Sequence, residues 1–109
     1  MEFYTSYHES GFWIGQREKT VQRVAALIRK RKLIKLPIVV TGISGMSIGF
    51  PVAHKLGMKL AVVRKGRERS HASNCIEGYQ PNKEYIILDD FIDTGATIRR
   101  IHKEIANLW

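Results

Sequence analysis

Two adjacent acids, Asp89 and Asp90, directly follow the apolar run Tyr85, Ile86, Ile87 and Leu88. After Phe91 and Ile92 comes a compact polar run, Asp93, Thr94, Gly95, Ala96 and Thr97. Carboxylates accept hydrogen bonds from hydroxyl groups and hold hard cations such as magnesium. A tight loop that opens a helix turns its backbone N–H groups onto one point, and the helix dipole favours an anion there. Gly95 lets the backbone approach closely, and Thr94 and Thr97 add hydroxyl donors. Acids beside such a cradle suit a ligand whose phosphate lies close to vicinal hydroxyls, which is the shape of ribose 5-phosphate.

These residues need a scaffold that brings a strand end and a helix start together. Residues 85–88 read as a buried strand. Residues 17–33 read as an amphipathic helix, with Val21, Val24, Ala25 and Ile28 on one face. Residues 38–41 form a short apolar strand, followed by a Gly- and Ser-rich turn at 42–47 and a helix over 48–56 that Gly57 closes. Residues 59–64 are the next strand. Strand, helix and strand within so short a span make a βαβ unit and predict a parallel sheet. Residues 65–82 are a long polar loop with a short strand around 74–77. A last helix starts near Thr97 and turns Ile98, Ile101, Ile105 and Leu108 to one side. The expected fold is α/β: one domain over 1–109, a small Rossmann-like parallel sheet with flanking helices. Its core spans 37–109, and 1–15 serve as a hood or an edge segment.

Composition limits the rest. The chain has 109 residues, 44% of them apolar, enough for one packed core. No stretch is long and apolar enough to span a membrane, and the start lacks the basic-then-apolar order of a secretory signal. Cys75 is the sole cysteine, so no internal disulfide forms, and a cytoplasmic location is expected. His8, His54, His71 and His102 have no zinc spacing. The net charge of +8 attracts polyanions, either nucleic acid or a small ligand with several phosphates. Arg29, Lys30, Arg31 and Lys32 read as the solvated end of a helix, where cations suit the dipole, in preference to a nucleic-acid patch. The Walker phosphate loop and the dinucleotide-binding glycine fingerprint are both absent.

Residues 85–97, YIILDDFIDTGAT, resemble the PRPP-binding signature of the type I phosphoribosyltransferases over thirteen contiguous positions. Phe91 departs from the pattern in being larger than the usual aliphatic. The order of elements from residue 37 onward is also similar to that family. The resemblance implies a type I phosphoribosyltransferase fold, abbreviated at its C-terminus, with PRPP as substrate and magnesium as cofactor. By that resemblance Asp89 and Asp90 hold the ribose hydroxyls, directly or through the metal, and residues 93–97 cradle the 5-phosphate. Ser44, Gly45 and Met46 present backbone N–H groups to pyrophosphate, with Lys65 adding its charge. Arg67, Ser70 and His71 lie on a flexible loop that closes over the site. The residues themselves leave simpler readings open: a solvated lysine at 65, an ordinary strand-to-helix turn at 44–46, and loop surface at His71.

The reaction so implied moves 5-phosphoribosyl from PRPP to a nucleobase nitrogen and releases pyrophosphate, with Asp89, Asp90, Asp93 and Lys65 as its central residues. The alternative is a regulator on the same fold that senses PRPP or a nucleotide, or binds RNA. Phe3, Tyr4, Phe12 and Trp13 either stack on a base or pack the core. Relatives commonly continue with another strand after the signature helix. A partner subunit is therefore expected to complete the sheet edge, which predicts a homodimer.

Overall fold

Ile38, Val39 and Val40 offer no polar face, and neither do Ile86, Ile87 and Leu88, so both strands need cover on two sides. The computed structural model describes residues 3–4, 14–64, 76–89 and 95–108. Its elements are β1 (Phe3–Tyr4), α1 (Ile14–Lys30), β2 (Ile38–Val40), α2 (Gly42–Leu56), β3 (Leu60–Val63), β4 (Ile76–Gly78), β5 (Ile86–Leu88) and α3 (Ala96–Ala106). The sheet order is β1-β5-β2-β3-β4.

Alternation along each strand divides the core into two clusters. Ile38, Val40, Ile86 and Leu88 face α1 and α2, meeting Val24, Ile28, Ile48 and Val52. Val39, Ala61, Val63 and Ile87 face the other way, onto Ile101 and Ile105 of α3. Ile98 and Leu108 pack against this second cluster, so the apolar stripe expected of the last helix is the one that docks.

The sheet is mixed, not wholly parallel. β1, β5, β2 and β3 are parallel, whereas β4 runs antiparallel to β3, with Val63 opposite Ile76. β4 starts two residues later than the strand expected at 74–77, and the stretch before it joins two antiparallel neighbours. Phe3 and Tyr4 pair in parallel with Ile87 and Leu88. The outer edge of β5 is thus covered by the same chain, and the expected homodimer no longer rests on an open edge there. Phe12 and Trp13 lie outside the described residues.

α1 runs three residues earlier than the expected 17–33. Its end explains the shift. Lys32 takes a left-handed conformation with φ 57°. The Leu33 N–H donates to the Ile28 carbonyl at 3.0 Å, and the Lys32 N–H to the Arg29 carbonyl at 3.1 Å. This is a Schellman stop, with Lys32 at the position glycine usually fills. Leu33 then packs on the cluster that contains Ile28. Replacing Lys32 with glycine relieves the left-handed strain, so Lys32→Gly should raise unfolding free energy by about 0.5–1 kcal/mol in urea titrations.

Tyr85 precedes β5 and is buried, 5% exposed. Its hydroxyl shares a hydrogen bond with His102 Nδ1 on α3, and the two rings lie 5.4 Å apart between centroids. Burial raises the Tyr85 pKa above its ordinary value by disfavouring the phenolate. The stabilising contribution is therefore complete below about pH 10, where tyrosine ionises in the unfolded chain, and is lost as pH rises through the raised value. Thermal melts should show an alkaline loss of stability above that pH, and the loss should be shallower in Tyr85→Phe.

Candidate functional site

Val40 is in register with Leu88 on one side and with Val62 on the other. The three parallel strands therefore end side by side, and the residues that leave them share one edge of the sheet. β2 continues through α2 to β3 on one flank, while β5 lies on the opposite flank and leads into α3. α2 covers one face of the sheet and α3 the other. The gap between β2 and β5 is thus a topological switch point, where α/β folds open a crevice for ligands.

Asp89 stands at this point, directly after β5, and is 8% exposed. A carboxylate so placed is a hard oxygen donor at the mouth of the crevice, and its chemistry fits magnesium. Among the described residues no group of three or more potential ligands gathers, so any metal there would draw its remaining oxygens from elsewhere. Asp90, Asp93 and Thr94 lie outside the described residues.

Gly95 is the N-cap residue of α3, with φ 81° and no side chain of its own to cap the helix. Ala96 is exposed and Thr97 half-buried at its first turn. No acidic side chain occupies that turn. The next turn places a cation at the same spot, because a Cβ built on Gly95 would lie 3.2 Å from Arg99 Nη1.

α2 begins at Gly42, six residues before the expected start at Ile48. Gly45, read as part of a turn, is a helix residue that touches the sheet, as does Gly49 one turn on. A Cβ on Gly45 would come within 3.2 Å of the Leu88 carbonyl, and one on Gly49 within 2.5 Å of Val40 Cγ1. This early start decides where the residues of the expected pyrophosphate cradle stand in the helix. Of Ser44, Gly45 and Met46, only Ser44 lies in the first turn, where amides lack an intrahelical acceptor. Gly45 and Met46 are already in the helical ladder, and Met46 packs on the core. Gly42 and Ile43 stand beside Ser44 in that first turn, with Gly42 admitted by its φ of 75°.

Thr41 occupies the N-cap position of α2, yet its hydroxyl does not cap. It donates instead to the Val63 carbonyl at 2.6 Å and accepts from Arg100 Nη2 at 3.1 Å. Arg100 Nη1 also donates to the Arg64 carbonyl at 3.3 Å. The Arg64 guanidinium reaches Glu77 at 2.8 Å, across the base of the 65–75 stretch. Lys65, Arg67, Ser70 and His71 fall in that stretch and lie outside the described residues. Sequence reasoning missed Arg99 and Arg100. Their signal is the pair of cations one turn into the signature helix, which composition alone registered as net charge.

No family model matches the chain. Over 72 residues it is 38% identical to a ribose-phosphate pyrophosphokinase of Helicobacter hepaticus, a match that covers 63% of this chain and 23% of that protein. The chain therefore spans less than a quarter of the length of that relative. In structure it is similar to UMP synthase of Leishmania donovani, with a TM-score of 0.57 and 21% identity over 78% of this chain and 18% of that one. At that identity the likeness is one of fold. The partial relation in sequence and the likeness in fold agree with the resemblance of residues 85–97 to the type I phosphoribosyltransferase signature.

The Thr41 bonds tie the start of α2 to the end of β3. Thr41→Val keeps the shape but removes both, and should lower stability by about 1–2 kcal/mol in denaturant titrations. Thr41→Ser should recover most of that loss.

Proposed function

We propose that this chain binds PRPP at the carboxyl ends of β5 and β2 and transfers its 5-phosphoribosyl group to a nucleobase nitrogen. The carrying observation is the placement of buried Asp89 and the glycine-led start of α3 at the switch point, beside the first turn of α2, which the Thr41 side chain does not cap. In this reading Asp89 accepts hydrogen bonds from the ribose hydroxyls. The amides of residues 95–97, with Arg99 close by, receive the 5-phosphate. The amides of Gly42, Ile43 and Ser44 receive the diphosphate.

The bond between ribose C1 and a pyrophosphate oxygen breaks, and a bond from C1 to the base nitrogen forms. The base loses a proton, and pyrophosphate leaves with the bonding electron pair. The sugar passes through an oxocarbenium-like state, so the protein's task is to orient the sugar and to stabilise the departing charge. Magnesium, held by Asp89 and by Asp90 of the signature, would neutralise part of that charge when bound. Lys65 and the 65–75 stretch are assigned to the leaving group and to exclusion of water.

A second reading has one observation in its favour. Arg29, Lys30, Arg31 and Lys32 are all exposed at the end of α1, which suits an RNA-binding or nucleotide-sensing regulator on the same fold. Pyrophosphate release from PRPP with magnesium and a panel of bases separates the two. Turnover with one base is expected, and Asp89→Asn should reduce it by about two orders of magnitude. Salt-sensitive RNA binding without turnover on any base would replace the enzyme reading with the regulator.

A further inference from the structure

Arg100 lies on α3, the helix that follows the signature, yet its guanidinium reaches away from the 95–97 turn. It spans the ends of two other strands. One nitrogen donates to the Arg64 carbonyl after β3 at 3.3 Å. Another donates to the Thr41 hydroxyl after β2 at 3.1 Å. Thr41 passes the link on by donating to the Val63 carbonyl at 2.6 Å. One planar, permanently charged group thus joins three elements on this edge: the signature helix, the start of α2 and the root of the 65–75 stretch.

The Thr41 hydroxyl matters to this arrangement because of what it leaves undone. A threonine at an N-cap ordinarily accepts from an amide of the first turn. Here Arg100 and the Val63 carbonyl hold the hydroxyl across the sheet, and no side chain caps α2. The first-turn amides stay available to an anion, and a cation sits behind them.

We propose that Arg100 is a positioning residue for the diphosphate half of the site. It holds the Thr41 hydroxyl off the α2 amides and sets α2 and the root of the 65–75 stretch at one spacing. This inference rests on the PRPP reading above. It also predicts a division of labour that a merely structural role lacks. Losing Arg100 should disturb the diphosphate cradle and leave the 5-phosphate turn intact, since its guanidinium is committed to Arg64 and Thr41.

The test is calorimetric titration of the full chain, in magnesium, with pyrophosphate, PRPP and ribose 5-phosphate separately. Arg100→Met should weaken pyrophosphate and PRPP by about tenfold or more, with ribose 5-phosphate changed less than about twofold. Arg100→Lys keeps the charge but reaches one acceptor at a time, and should fall between. Thr41→Val keeps Arg100 and removes the bridge, and should reproduce the selective loss. Equal weakening of all three ligands, or unchanged pyrophosphate binding in Arg100→Met and Thr41→Val, would overturn the positioning role. Wild-type chain that binds neither PRPP nor ribose 5-phosphate would overturn the PRPP reading itself, and this inference with it.

Discussion

Val40 lies directly beneath Gly49 of α2, and a methyl group on that glycine would come within 2.5 Å of its Cγ1. One helical turn earlier, Gly45 rests against the Leu88 carbonyl in the same way. Two glycines four residues apart share a helix face, so α2 settles onto β2 and β5 along its first half. That close approach decides where the amino end of the helix points. With larger residues the helix would stand off, and its first-turn amides would no longer reach the edge where β5 delivers Asp89. The hydrophobic packing of Ile48 and Val52 stabilises the contact, but the glycines set its distance.

Charge is arranged on that frame in a consistent way. Asp89 is the buried acid at the switch point, and the first turns of α2 and α3 contain no acidic residue of their own. Arg99 and Arg100 project from α3 to opposite parts of the edge, one toward Gly95 and the other toward Thr41 and Arg64. In the proposed reading, a ligand with a phosphate at each end and hydroxyls between them would meet a cation at each end and an acceptor in the middle.

Several features were legible in the chain without coordinates. The apolar runs at 38–40 and 86–88 identified the buried strands, because strands covered on both faces cannot carry polar residues. Ile101 and Ile105 identified the docking face of the last helix by spacing alone. The start of α2 was misjudged because glycine and serine are both turn signals and close-packing residues, and only a neighbouring strand distinguishes the two uses. The end of α1 was misplaced because lysine rarely adopts the left-handed conformation that stops it.

The sequence by itself determined the order of groups in the candidate site: carboxylates after a strand, then a glycine-bearing run into a helix, a local pattern whose parts are contiguous in the chain. Tertiary structure alone decided what stands around that pattern. The Phe3–Tyr4 pairing with β5, the antiparallel turn of β4 and the bridge from Arg100 to Thr41 and Arg64 all join residues far apart in sequence. No local periodicity encodes such contacts. They follow from which strands become neighbours, and that is settled only when the whole core packs.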